Sequence, residues 1–201
     1  MPTPETAFTL PALSAAFLGV GLAASSGLRA FLPLLLACIA AKTGLFGVHL
    51  SGNFAWLSSD TALIALSIAS VVEIAGDKIP VVDHGLDALG TVLRPGAGAL
   101  VAAAVWNQND PATAALMGLI FGAPLALGIH AAKAGTRGAS TLTTAGLGNP
   151  ILSVLEDFAA LLLGLVALLI PLLIPVLLIA IGYVAWKVAR YARDWRSKTT
   201  H

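Results

Sequence analysis

Long apolar runs, separated by short polar stretches, dominate the pattern of residues along this chain. A helix that crosses a bilayer needs about 20 consecutive, mainly apolar residues, and five regions of the sequence reach or approach that length. These regions are 8–41, 61–76, 88–106, 113–132 and 151–186. The pattern predicts an all-α fold, a polytopic integral membrane helical bundle with five to seven hydrophobic segments, some of them broken or re-entrant.

The first and last apolar runs are too long for one straight span. As a single helix, region 8–41 would extend about 50 Å, whereas the hydrocarbon core of a bilayer is about 30 Å thick. We expect a break at Ser25-Ser26-Gly27 or at Pro33. Region 151–186 contains Pro171 and Pro175 with no polar turn between them, so it is either one kinked helix or two spans, and the charges of the neighbouring loops favour two.

Those charges also predict an orientation, because Lys and Arg collect in cytoplasmic loops. Loop 107–110 has no basic residue and is expected outside, whereas loop 133–150 contains Lys133 and Arg137 and is expected inside. The segment 187–201 has five basic residues and is predicted to be a cytoplasmic tail. Because Asp is favoured at helix N-caps, Asp60 and Asp110 are expected to cap the helices that follow them.

Composition agrees with a membrane class. Hydrophobic residues make up 58% of the chain and charged residues 10%, whereas a soluble domain carries roughly 25% charged residues. The net charge of +1 indicates no nucleic-acid partner, and the single cysteine, Cys38, excludes an internal disulfide and a cysteine-based metal site. No basic residue precedes the first apolar run, so we expect that run to be retained rather than cleaved as a signal peptide.

Three short segments combine glycine, a strong hydrogen-bond donor and proline, and each is expected to interrupt a helix. They are 27–33, 90–96 and 146–150. Proline frees backbone carbonyls, and transporters place substrate at such interruptions because freed carbonyls and half-helix ends are ready ligands. The alternative is a kinked helix that packs on its neighbours. The spacing of caps and breaks also fits one membrane domain, 1–201, built of two repeated halves, about 1–106 and 107–201.

Ionisable residues concentrate near these interruptions, and at bilayer depth such residues are costly and are functional candidates by default. Glu73 and Asp77 are four residues apart and therefore share a helix face. The candidates for binding an anionic group are Arg29, Lys78, Arg94, Arg137 and Asn149. The candidates for ion or proton coupling are Glu73, Asp77, Asp83, Asp87 and Glu156. A purely structural ion-pair network is the alternative for both sets.

An enzyme is the less favoured class. Asp83, His84 and Asp87 have a spacing that a metal or a general base would accept, but the sequence lacks HExxH, a nucleophile elbow and a P-loop. The paired DxxxD motifs of membrane alcohol phosphotransferases are also incomplete. We assign no catalytic residue and expect no cofactor, and the sequence leaves open whether a metal binds.

The motif string as a whole resembles one bacterial membrane family, called domain of unknown function 4126. The string comprises Gly27-Leu-Arg-Ala-Phe-Leu-Pro33, Glu73-x-x-x-Asp77-Lys-Ile-Pro80, Asp83-His-x-x-Asp87, Arg94-Pro95 and Gly148-Asn-Pro150. The similarity covers roughly residues 13–175. It implies a bacterial inner-membrane protein and groups the charged candidates into one pattern, but it brings no activity.

Three functions follow as hypotheses. The first is a small secondary transporter or flippase-like carrier of an anionic or phosphate-bearing solute, coupled to a proton or cation. The second is a non-transporting membrane scaffold with a structural ion-pair network, and the third is a membrane enzyme that acts on a lipid-linked or phosphorylated substrate. The expected partners are the lipid bilayer and a small molecule or ion, and a homo-oligomer would help a chain of this size to enclose a path.

Overall fold

The computed structural model describes residues 10–50, 52–106 and 110–199. This part of the chain is helical and contains no strand. Its α-helices are α1 (Leu10–Leu28), α2 (Phe31–Thr43), α3 (Asp60–Gly76), α4 (Pro80–Val105), α5 (Pro111–Met117), α6 (Ala123–Thr144), α7 (Asn149–Leu169) and α8 (Ile174–Thr199). The all-α prediction is therefore confirmed.

Four described helical stretches are long and apolar enough to cross a membrane. They are Pro11–Leu28, Gly85–Val105, Pro111–Thr144 and Asn149–Leu169. A fifth exists if the 3-10 turn Gly52–Ser58 and α3, which meet at a bend of 64°, form one span. These are the helices of a membrane protein. The number of five to seven hydrophobic segments stays a prediction, as does the division into two repeated halves.

The first apolar run forms a helical hairpin. The chain leaves helical geometry after Leu28 and resumes at Phe31, so the expected break is confirmed, although it lies between the two positions that the sequence indicated. Ser25 in α1 and Leu36 in α2 both lie beside Gly164 of α7, which shows that α2 runs back along α1. At 13 residues, α2 is about 20 Å long, shorter than the bilayer core.

Ser25, Ser26 and Gly27 do not break α1. The two serines form hydrogen bonds within the helix or to α7, and the glycine leaves room for α6. The Ser25 hydroxyl donates to the Ala160 carbonyl of α7 at 2.8 Å, and the Ser26 hydroxyl donates to the Leu22 carbonyl at 3.0 Å. A side chain at Gly27 would collide with Ala126 of α6. These residues therefore let α1 pack closely as the central helix of the bundle, against α4, α6 and α7.

Of the other two expected interruptions, one is confirmed and one is wrong. Helix α6 ends at Thr144 and α7 starts at Asn149, with Ala145 and Gly146 in left-handed backbone conformations between them. Helix α4, however, continues through Pro95. Proline inside a helix is tolerated where neighbouring helices hold the segment in place, and α4 packs against both α1 and α6.

The expected loop 133–150 is also wrong, because residues up to Thr144 belong to α6. The polar residues in this stretch are helical for two reasons. The hydroxyls of Thr136, Thr141 and Thr143 donate to carbonyls one turn earlier, a local bond that helices accept. In addition, Lys133 and Arg137 are buried on one face of α6. Neither residue therefore counts as a loop charge.

The two expected caps have different outcomes. Asp110 caps α5, since its carboxylate accepts from the backbone N–H groups of Ala112 and Thr113 at 3.3 and 3.0 Å. The Thr113 hydroxyl and these backbone bonds hold the pKa of Asp110 below its ordinary value. At α3 the cap is Ser59, and Asp60 instead lies in the first turn, 2.5 Å from the ammonium of Lys42. Asp60 is not the cap because the hydroxyl of Ser59, one residue earlier, already accepts the backbone N–H of Ala62.

The last apolar run is two helices, of which α7 is long and apolar enough to cross a membrane, so the prediction of two spans in this run stays a prediction. Helix α7 ends at Leu169, Ile170 has a non-helical φ of −141°, and the 3-10 turn Pro171–Leu173 leads into α8. Proline at the first position of that turn lacks a backbone N–H, which stops the α7 ladder there.

The π-helical turn Gly118–Gly122 joins α5 to α6. Its backbone lies in contact with the backbone of α4. A side chain at Gly118 would collide with the Ala99 carbonyl, and one at Gly122 would collide with the Gly98 carbonyl. Small residues at such crossings allow helices to pack by close van der Waals contact. This contact matters in a membrane because the hydrophobic effect does not drive helices together there.

We expect Gly118→Ala to destabilise the protein by about 1–3 kcal/mol, the usual cost of overpacking a close contact. Gly128→Ala is the matched control, because a side chain at Gly128 would meet no atom within 4 Å. That control should be neutral or slightly stabilising, since alanine favours helix over glycine. Chemical denaturation in detergent measures both, and equal stabilities of the two variants would contradict this packing.

Candidate functional site

Charged side chains from four helices, α3 (with the two residues after it), α4, α6 and α7, and from the α1–α2 turn meet in one region, which we call the charged cluster. Its members are Arg29, Glu73, Asp77, Lys78, Asp87, Arg94, His130, Lys133, Arg137, Glu156 and Asp157. Five are cations, five are carboxylates, and His130 is the eleventh member. Among the described residues, the positive and negative charges of the cluster therefore balance.

The fold places these residues together because the α1–α2 turn and the end of α3 lie beside the same part of α6 and α7. Arg29 forms the α1–α2 turn, and Asp77 follows the last residue of α3. Glu156 lies about two turns into α7, and Arg137 lies about two turns before the end of α6. At about 1.5 Å per residue, the cluster is about 10 Å inside the ends of α6 and α7.

The centre of the cluster is one carboxylate oxygen, Asp77 Oδ2. It is contacted by the guanidinium of Arg29, by the Lys133 Nζ at 3.1 Å and by the Arg137 Nη2 at 3.3 Å. All four side chains are buried. The second oxygen, Asp77 Oδ1, is buried and accepts no hydrogen bond from the described residues. Three cations thus converge on a single oxygen, while the other oxygen faces no donor.

A second carboxylate, Glu156, shares two of these cations. Arg137 donates to it in a fork, from Nε to Oε1 at 3.0 Å and from Nη2 to Oε2 at 2.6 Å. The Lys133 Nζ lies 3.2 Å from Oε2. Fork-shaped contacts of this kind are the strong form of an arginine–carboxylate pair. Arg29, Lys133 and Arg137 consequently surround two carboxylates from different helices, and we call these three residues the cation cradle.

Arg29 also connects the cradle to a half-exposed rim. Its Nη2 donates to the Ser153 hydroxyl at 3.0 Å, and its Nε lies 2.6 Å from Asp157 Oδ1. The other oxygen of Asp157 pairs with Lys78 at 2.7 Å. Because the side chain of Arg29 is fully buried while that of Lys78 is 38% exposed, this chain of contacts leads from the centre of the cluster to its surface.

Glu73 stabilises the helix break itself. Its two carboxylate oxygens accept from the backbone N–H groups of Ala30 and Phe31, at 2.9 and 3.1 Å. These groups belong to the start of α2, whose N-terminus has no cap from its own side chains. A carboxylate at this end satisfies unpaired donors and meets the positive end of the helix dipole. The α1–α2 turn is therefore capped by a residue of α3.

Arg94 occupies the side of the cluster formed by α4. Its guanidinium lies 3.3 Å from Asp87 Oδ1 and contacts the His130 ring. The side chain runs back along its own helix over Gly90, where an added side chain would come within 3.0 Å of the guanidinium carbon. Gly90 thus leaves the space that this orientation requires. Asp87, about one-fifth exposed, also lies 3.6 and 3.7 Å from Lys133 and Arg137.

Eight of the ten candidates that the sequence indicated belong to the charged cluster: Arg29, Glu73, Asp77, Lys78, Asp87, Arg94, Arg137 and Glu156. Asn149 lies at the start of α7, where its amide donates to Thr141 at 3.0 Å. The side chain of Asp83 lies outside the described part of the structure, as does that of His84. Position alone does not assign a substrate or coupling role to any of them.

The cluster also contains residues that were not among the candidates, namely Lys133, His130 and Asp157, and Ser153 contacts it through Arg29. Lys133 was assigned to a loop, although it has the most central position of any lysine. The available signal was spacing, since His130, Lys133 and Arg137 follow one another by three and four residues and so share a helix face.

The described residues include no group of three or more His, Cys, Asp and Glu side chains that is placed to hold a metal ion. The enzyme hypothesis needed Asp83, His84 and Asp87, and of these the described part of the structure shows Asp87, which pairs with Arg94. The arrangement that the structure does show is a set of guanidinium and ammonium groups that hold carboxylates.

The fold and this site together define an all-α membrane protein with a buried, charge-balanced network at a helix break. The chain belongs to the family described as Domain of unknown function (DUF4126), which it matches over residues 16–191. The resemblance that the motifs indicated is thereby confirmed. No curated protein matches the chain, and no solved structure matches it either.

We expect Arg29→Met to destabilise the protein by about 3–5 kcal/mol, because it removes a buried cation that both Asp77 and Asp157 contact and so leaves part of their negative charge uncompensated. Lys42→Met is the matched control, since it breaks an ion pair in which the Asp60 side chain is 84% exposed and should cost at most about 1 kcal/mol. Urea or guanidinium denaturation in detergent provides the comparison. Similar losses in both variants would mean that the cluster contributes no more than a surface pair.

Proposed function

We propose that this protein is a small secondary carrier of an anionic or phosphate-bearing solute, coupled to protons or a cation. The observation that carries the proposal is the convergence of Arg29, Lys133 and Arg137 on one oxygen of Asp77. Three donors around a single anionic oxygen are the arrangement with which proteins bind phosphate and carboxylate ligands. In this proposal, Asp77 holds the place of the solute while the site is empty.

The energetics of burial support a functional role for the cluster. Taking charges out of water costs several kcal/mol per ion, and apolar residues of similar volume often stabilise a protein as well or better. A chain with only 10% charged residues nevertheless places ten of them here. A network retained at such a cost is a candidate for exchange with a ligand.

The helix break supports the same reading. The N-terminus of α2 points its unpaired backbone donors into the cluster, where Glu73 accepts them. Carriers use half-helix N-termini and interrupted helices to hold anionic groups near the middle of the bilayer. Because both Glu73 oxygens already serve the α2 cap, we place the coupling role on Asp77 and Glu156, which contact the cation cradle directly.

Binding can be tested by thermal shift of the purified protein against chloride, sulfate, inorganic phosphate and succinate. We expect at least one divalent anion to raise the melting temperature of the wild type, and Lys133→Ala and Arg137→Ala to abolish the shift. Lys42→Ala, which alters the exposed pair with Asp60, should respond as the wild type does. Proteoliposomes should then take up the same labelled anion when an inward proton gradient is applied. A wild type that no anion stabilises would contradict the proposal.

The second candidate is a membrane scaffold, and a specific observation favours it too. Each of the five cluster cations has a carboxylate within 4.0 Å, and Glu73 fully occupies the α2 cap. A network that is complete without a ligand can serve stability alone. The scaffold predicts large losses of stability from Lys133→Ala and Arg137→Ala with no anion effect in any variant, so the same panel separates the two functions.

We further infer that the protein lies in a bacterial inner membrane with its C-terminus in the cytoplasm. The burial of Lys133 and Arg137 in the cluster removes them from the loop charges, so this inference depends on the tail. The tail contains Lys187, Arg190, Arg193, Arg196 and Lys198, and basic residues beside a span favour the cytoplasmic side.

Cysteine labelling tests this orientation, because the native Cys38 is buried and can be replaced by alanine without adding bulk. In that background, Thr200→Cys should resist an impermeant maleimide in intact cells and react after permeabilisation. Gln108→Cys, in the segment expected outside, is the matched control and should react in intact cells. The reverse pattern would place the tail outside.

A further inference from the structure

Asp77 and Glu156 form a pair whose chemistry narrows the class of solute. Together they supply two negative charges to the three residues of the cation cradle. Both carboxylates lie in the same contact shell, since Lys133 is 3.1 Å from one and 3.2 Å from the other. A ligand that takes over these cations must replace two negative charges, and the two displaced carboxylates must then be accommodated in a buried site.

A buried carboxylate that loses its cations is strongly disfavoured as an anion and takes up a proton. In Asp77 the proton can bind to Oδ1, because this oxygen is buried and accepts no hydrogen bond from the described residues. A proton there requires no existing contact to be broken. Glu156 is partly exposed, at 12% of its side chain, and is closer to a source of protons. Each displaced carboxylate can therefore be neutralised in place.

We infer that the solute is a dianion, such as a phosphate monoester or a dicarboxylate, which binds together with two protons that Asp77 and Glu156 take up. The inference rests on the proposed carrier function and specifies its substrate class and coupling. One dianion and two protons enter the site together, so the net charge of the cluster does not change. Release of the solute reverses both events. Binding is thus electroneutral, which avoids leaving an unpaired charge in the bilayer.

Among the residues whose side chains the structure describes, the remaining ionisable groups around the pair come from α3 and its end, α4, α6, α7 and the α1–α2 turn. They are Arg29 of the α1–α2 turn, Glu73 and Lys78 of α3 and its end, Asp87 and Arg94 of α4, His130, Lys133 and Arg137 of α6, and Asp157 of α7. Of the acids, Glu73 is engaged by backbone donors, Asp87 has Arg94 as its nearest cation, and Asp157 pairs with Lys78 at 2.7 Å as well as with Arg29 of the cradle at 2.6 Å. Asp77 and Glu156 are the two whose close partners are all in the cradle.

The test is the pH dependence of dianion affinity in the full-length protein, with sulfate and inorganic phosphate as probes and chloride as the monovalent comparison. Uptake of two protons lowers the affinity about 100-fold for each unit of rising pH, tenfold per proton, where both carboxylates are ionised in the free protein. Asp77→Asn and Glu156→Gln should each reduce that dependence to about tenfold. Asp60→Asn, the same change at an exposed pair of α3, should leave it at 100-fold.

The outcomes separate this inference from the function on which it rests. Sulfate or phosphate binding with the expected dependence in the wild type supports the inference even if one variant does not fold. Binding that is independent of pH, or chloride binding that equals dianion binding, overturns the inference and leaves an anion carrier in place. If neither of these dianions binds, and succinate and chloride do not bind either, the inference and the proposed function fail together.

Discussion

A charge that is held away from water needs a partner of opposite sign, and in this protein that requirement is concentrated on one oxygen of Asp77. Arg29 reaches it from the turn between α1 and α2, and Lys133 and Arg137 reach it from α6. Glu156 ties α7 to the same cations. Removing any one of these groups would upset the balance of buried charge among the others, so the mutual positions of the elements that carry them depend on this contact.

Two neighbouring regions of the bundle are built by different means. Around Gly98 and Gly122, α4 and the π-helical turn touch backbone to backbone with little more than glycine and alanine between them, which fixes their spacing. Around the charged cluster, one turn of α4 away at Arg94, the helices are held together by long, charged side chains. The crossing therefore depends on the absence of side chains, whereas the cluster depends on their reach and charge.

The sequence predicted those features that depend on local chemistry. Glycine and proline identified the breaks after Leu28 and Thr144, and the cost of charge in lipid identified eight members of the cluster. It failed where tertiary contacts decide the outcome. Pro95 does not interrupt α4 because neighbouring helices hold that segment, and Lys133 is helical because Asp77 and Glu156, both distant in sequence, accept it. The pattern of residues along the chain does not show which distant residues will become partners. It shows only that His130, Lys133 and Arg137 would share a face if the stretch is helical.

The capping of α2 by Glu73 has a consequence for the order in which the chain can be completed. The turn at Arg29 is made early in synthesis, but its backbone donors and its guanidinium have no partner until α3 and Asp77 are made, and Ser153 follows only 124 residues after Arg29. The first hairpin therefore leaves the ribosome with an unmatched charge at its tip, which Asp77 is the first residue to pair and whose contacts α7 completes.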